Sequence, residues 1–501
     1  MKQYDVVIIG SGMGGLVCGD ILSREGLSVC ILEKNKQIGG CLQTFVRDKV
    51  IFDSGVHYIG GLGKGQNLYQ IFKYLGLMDK LRLQEMDEVF DKIIVDTDDR
   101  EFVYAAGYDN FINRLVADFP DEENAIRLYC NKIREVCSKF PLYNLRLEGG
   151  EEKASVVEID TQTFIESLTN NKKLQAVLAG NNLLYAGRGK ETPFYIHALI
   201  LNSYIESSWK CLDGGSQIAR LLAKNITAQG GVIQRNSEVK RIVVEAGKAV
   251  AAELANGSRV QAKTFISNMH PVKTMELTDT DLIRKAYRNR LKNLNNTVSS
   301  FTVNIVLKKD CFKYFKHNYY YHKEGTVWTM ADYTADNWPL GYALFLSASS
   351  KSGEYADTMT IFTYMKFEDV KVWAHTFNTV SAEGDRGASY EAFKKEKAER
   401  LLDVVSAKFP GLRNCIQTYY TATPLSYRDY IGTDDGSLYG IAKDYKDPVK
   451  THIGTVTKVP NLYLTGQNLN LHGILGTTIT ALLTCLSVLG HDQIIEKIKN
   501  A

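Results

Sequence analysis

The sequence predicts an α/β protein in which a Rossmann-like nucleotide domain is interleaved with an α+β substrate domain. A strand, a glycine-rich turn, a helix and a second strand open the chain, and related segments recur in its middle and at its end. The regions between them are rich in Tyr, Phe and Leu, and 501 residues can hold more than one domain. We expect the nucleotide domain at 1–75, 206–285 and 450–501, and the substrate domain at 76–205 and 286–449.

The chain begins with a unit that is typical of dinucleotide binding. Residues 5–9 (DVVII) have the continuous apolar pattern of a parallel strand that is buried on both faces. Gly10, Gly12 and Gly15 then match G-x-G-x-x-G, which permits a tight turn, close approach to a pyrophosphate and close packing of helix on strand. A helix follows as far as Gly26, and its first N–H groups would point at the phosphates.

An acidic residue follows the second predicted strand. Residues 27–32 form that strand, and Glu33 stands at its carboxyl end, where it can accept hydrogen bonds from a ribose diol. An acid rather than Arg at this place disfavours a ribose 2′-phosphate. The opening unit by itself therefore indicates FAD or NAD rather than NADP.

Two other segments continue the nucleotide domain. A glycine turn at 214–215 enters a predicted helix, and short strands follow within 238–266, with a hairpin turn at Asn256-Gly257. Near the end of the chain, a strand from Asn461 opens into a loop, and a helix of small residues runs from about Thr477 to Leu489. A strand that ends in Thr-Gly before a helix is a second place where a helix N-terminus can face an anion.

The glycine pair after Glu33 favours FAD over NAD. Gly39 and Gly40 would let the backbone pass close to an extended ligand, and this segment resembles the one in FAD-dependent oxidoreductases of the glutathione reductase and amine oxidase type. In those families the C-terminal strand returns to the first sheet, and its loop meets the flavin. We therefore predict FAD as the cofactor. The expected contacts are Gly10, Gly12, Met13, Gly14, Gly15, Glu33, Lys34, Gly39, Gly40, Thr44, Val239, Gly466, Gln467, Asn468, Gly476, Thr477 and Thr478.

The composition of the chain and the absence of certain sequence motifs argue against several other classes of protein. A net charge of +3 without any basic block argues against nucleic-acid binding. Nine scattered cysteines without a C-x-x-C pair predict neither a zinc site nor a disulfide framework, and they suit a reducing compartment. The first strand begins at Tyr4, which leaves no room for a signal peptide, and the apolar stretches are too polar to span a membrane. We expect a cytoplasmic protein that can lie against a membrane.

The chain resembles the phytoene desaturase, carotenoid isomerase and retinol saturase flavoproteins from its first strand to its last helix. The likeness is greatest to the retinol saturase branch, and it is carried by FDSGVHYIGG at 52–61, TPFYIH at 192–197, YRDYIG at 427–432, GSLYG at 436–440 and TGQN at 465–468. Members often have an acid where Asn468 stands, but the Asn amide can still hydrogen-bond a ribityl hydroxyl.

This resemblance implies an FAD-dependent oxidoreductase that saturates or desaturates a carbon–carbon double bond of an apolar retinoid-like, carotenoid-like or other isoprenoid substrate. Saturation is favoured because of the segments shared with the retinol saturase branch. A flavin-dependent cis–trans isomerase of polyenes and a non-catalytic prenyl- or FAD-binding escort protein of the same fold are the alternatives. An amine oxidase is disfavoured because the features of its aromatic cage are not evident.

Three histidines are the candidate catalytic residues. His57 and His472 are expected to face the flavin, and His197 to line the substrate cavity. Histidine or tyrosine could donate a proton to a carbon during alkene reduction. Because no second strand–G-x-G-x-x-G–helix unit is present, an external electron donor or acceptor is expected. Residues 312–316 (FKYFK), with Tyr319–Tyr321 behind them, are the predicted membrane-facing rim.

Overall fold

The computed structural model describes residues 3–96, 100–149, 151–350, 353–379 and 386–501. These residues form nineteen strands. The strands are β1 Gln3–Ile9, β2 Val29–Leu32, β3 Thr44–Arg47, β4 Val50–Asp53, β5 Ile59–Gly60, β6 Leu83–Glu85, β7 Val89–Val95, β8 Glu101–Ala105, β9 Ser208–Cys211, β10 Val232–Gln234, β11 Val239–Glu245, β12 Lys248–Leu254, β13 Arg259–Ser267, β14 Ser299–Leu307, β15 Asn318–His322, β16 Gly341–Leu346, β17 Thr358–Met365, β18 Ile416–Ala422 and β19 Leu462–Leu464.

The same residues form sixteen α-helices. The helices are α1 Met13–Arg24, α2 Asn67–Tyr74, α3 Tyr108–Asp118, α4 Glu123–Ser138, α5 Thr161–Leu168, α6 Lys172–Leu178, α7 Phe194–Glu206, α8 Ser216–Ala228, α9 Pro271–Leu277, α10 Lys285–Lys292, α11 Ala388–Lys408, α12 Leu412–Cys415, α13 Pro424–Ile431, α14 Pro448–Thr451, α15 Gly473–Leu489 and α16 Gln493–Lys499.

The first sheet has the N-terminal strand in its interior. Its order is β10-β2-β1-β13-β12-β11, and β19 pairs in parallel with the carboxyl-end half of β13. β1 pairs in parallel with both β2 and β13, so its apolar residues are buried on both faces, as the unbroken apolar pattern predicts. Helices α8 and α15 pack against α1. The carboxyl ends of β1, β2, β13 and β19 therefore meet at one edge of this sheet.

The nucleotide-domain elements occur in the predicted order with shifted boundaries. The antiparallel hairpin between β12 and β13 turns at Gly257, whose φ is +80°. The closing helix α15 begins at Gly473, one turn before the predicted start at Thr477. Gly476 makes this earlier start sterically feasible, because a Cβ there would lie 2.7 Å from the backbone carbon of Leu471.

The second sheet has seven strands in the order β18-β14-β17-β16-β15-β7-β8. Its strands pair antiparallel except for β15 and β7, which run parallel. Strands β14 to β17 are buried along their full length. Helix α3 packs on β8, α6 on β7 and α13 on β14. All of these strands lie within the predicted substrate-domain segments, and the domain boundaries themselves stay a prediction.

A three-stranded sheet, β5-β9-β6, connects the two larger regions. β5 and β9 come from segments predicted to belong to the nucleotide domain, and β6 comes from the predicted substrate domain. This small sheet therefore joins segments of the two predicted domains.

One prediction about the cysteines is wrong. Cys311 and Cys415 form a disulfide, with their Cα atoms 5.4 Å apart, and the other seven cysteines are free. Cys415 ends α12 directly before β18, and Cys311 follows β14, which pairs with β18. The pair is separated by 104 positions in sequence, so only the strand pairing brings it together.

The helices predicted in the substrate domain are present with different ends. α3 begins at Tyr108, three residues before the predicted start at Phe111. α11 is much longer than the predicted helix at 398–409, since it begins at Ala388. Its additional N-terminal turns are rich in Glu and Lys, so the apolar periodicity marks only the part that faces the core.

Candidate functional site

A cavity of about 510 Å³ lies between the carboxyl edge of the first sheet and the inner face of the second sheet. One part of its wall comes from the two glycine segments and the closing loop before α15. The other part comes from aromatic and aliphatic side chains of the substrate domain. Cavities of this size, with a largely apolar lining and a few polar groups, are typical of small-molecule and cofactor sites.

The first glycine turn places the N-terminus of α1 against the cavity. Gly10 has a φ of +97°, which favours glycine. A Cβ at Gly12 would lie 2.9 Å from Asn268 Nδ2, and a Cβ at Gly14 would lie 2.7 Å from Asn268 Oδ1. Gly12, Met13 and Gly14 line the cavity, so the first turn of α1 can meet an anionic group with its backbone N–H groups.

Glu33 is fixed at the end of β2 on the same wall. Its Oε2 accepts hydrogen bonds from Ser11 N (2.9 Å) and Ser11 Oγ (2.6 Å), and its Oε1 accepts one from Asn35 N (2.8 Å). Only 6% of the residue is exposed. A carboxylate has about four acceptor positions, so Glu33 can still accept a hydrogen bond from a sugar hydroxyl in the cavity.

The second glycine pair contacts the first glycine turn. Gly39 N donates to Ser11 O (3.0 Å), and a Cβ at Gly40 would lie 3.2 Å from Gly12 Cα. Gly39 and Gly40 both have positive φ values, +109° and +56°. Lys34, between this pair and Glu33, donates from Nζ to Asp429 O (3.0 Å), and burial lowers the pKa of Lys34.

The loop before α15 closes the cavity from a third side. Gln467, Asn468, Gly476 and Thr477 line it. Asn468 Oδ1 accepts from Ile441 N (3.2 Å), which fixes the amide. Lys443 Nζ donates to the carbonyl oxygens of Asn468 (3.0 Å) and Leu469 (2.8 Å). Burial lowers the pKa of Lys443 to about 7.

The segment after β4 leads from the nucleotide wall to the substrate wall. Asp53 Oδ1 accepts from Gly215 N (2.7 Å), which ties the start of the segment to the turn before α8. Burial raises the pKa of Asp53 to about 7. Residues 54–60 then line the cavity. This is the segment on which the likeness to the retinol saturase branch depends most.

The substrate wall is largely aromatic. The rings that line it come from the segment after β4, from α7, from β15 to β17, from α13 and from the loop that follows α13. These residues are Tyr58, Tyr204, Tyr320, Phe345, Phe362, Tyr427 and Tyr439. Several of the rings pack on one another, such as Tyr58 on Tyr204 with ring centroids 4.3 Å apart. The wall therefore offers a continuous, rigid apolar surface.

The model of the flavin-containing amine oxidoreductase family matches residues 13–482, which is most of the chain. The chain belongs to this family. The cavity suits the flavin cofactor of this family. The glycine turns, Glu33 and the closing loop form a groove in which a side chain at Gly12, Gly14 or Gly40 would collide with its neighbours. The predicted fold class and the predicted FAD cofactor are thereby confirmed.

Individual members of known function agree with the predicted oxidoreductase class. An all-trans-retinol 13,14-reductase of Danio rerio is 27% identical over 97% of this chain and 86% of its own length. A chloroplastic prolycopene isomerase of Daucus carota is 26% identical over 88% of this chain and 72% of its own. The structure of cyclohexylamine oxidase from Brevibacterium oxydans superposes with a TM-score of 0.63 at 14% identity, covering 99% of this chain and all of that one. The last likeness shows the fold alone.

Four of the predicted FAD contacts in this family member lie behind the cavity wall instead of on it. A Cβ at Gly15 would lie 2.1 Å from Gly10 O, so Gly15 serves the packing of α1 on β1. Thr44 Oγ1 donates to Ser216 Oγ (2.9 Å), and Thr478 Oγ1 donates to Ile474 O (2.7 Å). Gly466 packs against Asn268. The other thirteen predicted contacts line the cavity.

His57 and His472 both line the cavity of this flavoprotein, and each is stacked on another ring. His57 lies on Phe345 with ring centroids 4.3 Å apart and planes 8° apart. His472 lies 4.3 Å from Tyr439, and its Nε2 donates to Leu184 O (3.0 Å). Burial lowers the pKa of each imidazole to about 4. Both rings are therefore neutral near pH 7, and a neutral imidazole is a weak proton donor.

His197 does not reach the cavity, so the prediction that it lines it is wrong. The residue is fully buried in α7. Its Nε2 hydrogen-bonds with the hydroxyl of Tyr129, and its Nδ1 lies 2.8 Å from the Tyr185 hydroxyl. Burial lowers the pKa of its imidazole to about 3. Helix α7 is apolar on nearly all sides, so the sequence does not show which side faces a cavity.

Several lining residues were missed by the sequence analysis. Asn268, at the carboxyl end of β13, was detectable, because ligands bind outside the carboxyl ends of parallel strands. His270 and Lys273, which follow it, also line the cavity. The tyrosines of the substrate wall had no such signal, since aromatic residues in strands are most often ordinary core residues.

Proposed function

We propose that this flavoprotein acts on a carbon–carbon double bond of a conjugated, apolar polyene of the retinoid or carotenoid kind, and that it saturates the bond. The observation that carries the proposal is the rigid aromatic wall opposite the FAD groove. A flat, extended polyene would lie along such a wall and exclude water from the reacting carbons. The names of the reductase and isomerase relatives support the same substrate class.

The residues of the chain divide the work between cofactor and substrate. FAD, when bound, supplies the hydride chemistry. The N-terminus of α1 and Glu33 would hold its pyrophosphate and ribose, and the closing loop would hold the ribityl chain. The stacked pair of His57 and Phe345 presents a flat surface beside the groove, which orients a planar substrate.

The charges of the cavity favour a polyene over an amine. An amine oxidase binds an amine, whose protonated form an acidic side chain would stabilise. The acidic residues among those lining the cavity are Glu33 and Glu238, and both belong to the nucleotide sheet region. The substrate wall therefore offers aromatic surface and hydroxyl groups rather than carboxylates.

Single-turnover kinetics would test the proposal. The protein is reduced with dithionite under anaerobic conditions, separated from excess dithionite and mixed with all-trans-retinol or a carotenoid. We expect reoxidation of the flavin together with a product that has gained two hydrogens. The oxidised protein is mixed with cyclohexylamine in parallel.

Each alternative gives a different result in this experiment. A rearranged polyene of unchanged mass, without net flavin oxidation, would identify an isomerase. Colourless purified protein that does not take up FAD would identify an escort protein. Bleaching by the amine together with no reaction of any polyene would overturn the proposal.

We also propose that this protein is cytoplasmic and contacts membranes peripherally, because its substrate class resides in lipid. Phe312 and Phe315, predicted to be the rim, are half-buried against Phe409 and Tyr319. Tyr319–Tyr321 are buried within β15. The membrane contact at residues 312–316 stays a prediction, with two rings that are partly covered and tyrosines behind them that are buried.

Val372 and Phe377 are better candidates for this contact. They are 69% and 67% exposed, and the exposed Lys371 stands beside them. Among the described residues, no helix is long and apolar enough to cross a membrane. We expect liposomes to carry part of the protein upward in a flotation gradient, and Val372→Ser/Phe377→Ser to reduce that fraction.

Val449→Ser is the matched control for flotation, because Val449 is 82% exposed and belongs to a different element, α14. This variant should float like the wild type. Absence of flotation of the wild type at low salt would refute the membrane contact.

A further inference from the structure

A buried carboxyl group is connected to the cavity through two tyrosines. Asp91, in β7, has no exposed surface. Its Oδ2 accepts a hydrogen bond from the Tyr58 hydroxyl (2.9 Å), and its Oδ1 accepts one from Asn318 Nδ2 (2.9 Å). The Tyr58 hydroxyl lies 2.8 Å from the Tyr320 hydroxyl. Both tyrosines line the cavity and Asp91 does not, so the contacts form a path from a buried acid to the substrate space.

The fold fixes the spacing of this path. β7 and β15 pair in parallel with Asp91 opposite Asn318, which places Tyr320 two positions further along the same strand pair. The ring of Tyr58 is clamped on Tyr204, and the ring of Tyr320 meets Phe345 edge-on with centroids 6.1 Å apart. The hydroxyl groups therefore stay within hydrogen-bond distance without movement of the backbone.

The charge state of Asp91 suits a proton reservoir. Burial raises the pKa of Asp91 to about 7, and its hydrogen bonds and Lys210 lower it from a still higher value. The buried Lys210 donates to Leu346 O (3.0 Å), and burial lowers its pKa to about 7. The titratable groups that face Asp91 from the surrounding elements are Tyr58, Tyr104, Tyr204, Tyr320 and Lys210. The pKa values of all four phenols are raised by burial, so these phenols keep their protons at neutral pH.

We propose that Asp91, Tyr58 and Tyr320 form a proton relay to the substrate, with the Tyr320 hydroxyl as the terminal donor. The inference rests on the proposed function, because saturation of a double bond requires one hydride and one proton. Reduced FAD, when bound, would supply the hydride with both electrons, and the residues of the chain would supply the proton. The Tyr320 hydroxyl is connected through Tyr58 to a buried carboxyl group that can replace its proton, whereas the His472 imidazole donates to the backbone carbonyl of Leu184.

Each group of the relay that gives up a proton receives one from the next group. The Tyr320 O–H bond breaks as a C–H bond forms on the substrate carbon. The phenolate of Tyr320 takes the proton of Tyr58, and Tyr58 takes the proton of the Asp91 carboxyl group. The carboxylate form of Asp91 accepts from Tyr58 over the 2.9 Å contact, and the protonated form donates over the same contact. Asp91 ends as a carboxylate beside Lys210, and it regains a proton from water after the product leaves. Tyr320 is the catalytic residue of this scheme, and Asp91 acts through the tyrosines.

The relay is tested first by single-turnover oxidation of the dithionite-reduced holoprotein with all-trans-retinol. We expect Tyr320→Phe, Tyr58→Phe and Asp91→Asn each to react at least about tenfold more slowly, a low bound for the loss of a general acid. Tyr342→Phe is the matched control, because Tyr342 is a buried tyrosine of β16 that does not line the cavity, and its hydroxyl has no hydrogen-bond partner among the described residues. This control should react like the wild type.

The pH profile separates a relay from a structural role of Asp91. The wild-type rate should fall as the pH rises through neutral, because Asp91 loses the proton that it would deliver. The Asp91→Asn variant should react slowly, and its rate should not fall as the pH rises through neutral. Lys210→Met should move the fall to higher pH, because removal of a nearby ammonium group raises the pKa of the carboxyl group.

Infrared spectroscopy reports on Asp91 without any turnover. In the oxidised wild-type protein, Asp91 and Asp53 should both contribute a C=O stretch of a protonated carboxylic acid that titrates near pH 7. The Asp91 contribution should be absent in Asp91→Asn and should remain in Asp53→Asn. Tyr58→Phe should shift this titration to higher pH, because the Tyr58 hydroxyl stabilises the carboxylate.

The outcomes distinguish the relay from the proposed function. A wild type that no polyene reoxidises contradicts the proposed function, and the relay falls with it. An active wild type whose Asp91→Asn and Tyr320→Phe variants keep the normal rate and pH profile contradicts the relay alone.

Discussion

Burial changes what single side chains can do in this protein. Glu33 keeps a carboxylate on the cavity wall because three hydrogen bonds hold it there. His57 loses its usual titration range because burial and the nearby Lys210 disfavour the imidazolium, which lowers its pKa to about 4. The same residue types on an exposed loop would have neither property.

Glu33→Gln should weaken FAD binding without unfolding the protein. The amide would replace an anionic acceptor beside Ser11 N–H and the ribose, and hydrogen bonds to charged groups contribute about 1.5–3 kcal/mol. We expect the Kd for FAD to rise about tenfold to a hundredfold, measured by titrating deflavinated protein with FAD. Glu25→Gln, at the surface ion pair with Lys497, is the control and should bind FAD normally.

His57 should act by orienting the substrate rather than by donating a proton. His57→Ala removes the ring that stacks on Phe345 and should slow single turnover at least about tenfold while FAD remains bound. His57→Phe keeps a flat ring and should recover most of the rate. An equally slow His57→Phe would show that a ring nitrogen is needed. Loss of FAD from His57→Ala would instead assign the residue to the cofactor site.

At the scale of elements, the nucleotide site depends on close contact between a helix and a strand. Helix α1 approaches β1 so closely that a side chain at Gly15 has no room. This contact aims the helix N-terminus at the cavity. The pairing of β7 with β15 has the same kind of role in the substrate domain, because it sets the distance between Asp91 and Tyr320.

Gly15→Ala should lower the free energy of unfolding by about 1–3 kcal/mol, as overpacking typically does. The added Cβ would lie 2.1 Å from Gly10 O, so α1 must move away from β1. The measurement is chemical denaturation together with FAD occupancy. Gly454→Ala is the control, because nothing lies within 4 Å of its Cβ position. Equal stability of the two variants would mean that the turn adjusts without strain.

At the scale of the whole molecule, one cavity lies between two seven-stranded sheets. The first sheet supplies the cofactor wall and the second supplies most of the substrate wall. The described residues contain one glycine-rich dinucleotide unit, at the end of β1, and FAD accounts for it.

NADPH should therefore reduce the flavin slowly or not at all. Stopped-flow absorbance under anaerobic conditions measures the bleaching, and dithionite is the control that shows a reducible flavin. Rapid reduction that saturates with NADPH concentration would reveal a nucleotide site outside the glycine-rich unit. A slow reaction supports an external electron donor of another kind.

Local sequence patterns are sufficient to predict the nucleotide half of this protein. The β-branched run, the spacing of Gly10, Gly12 and Gly15, and the acid at position 33 are local signals, because each depends on backbone geometry within one β-α-β unit. The closing strand and helix were predictable for the same reason. Most of the predicted FAD contacts accordingly line the cavity.

The substrate half depends on contacts between residues that are far apart in the sequence. The Asp91 path joins the segment after β4 to β7 and β15, and the disulfide joins positions 104 apart, so both depend on strand pairing that no local pattern encodes. The place of His197 depended on which side of an apolar helix faces the cavity. When every face of a helix is apolar, its hydrophobic periodicity does not show which face points to the cavity. The orientation of α7 therefore depends on its packing against the other elements.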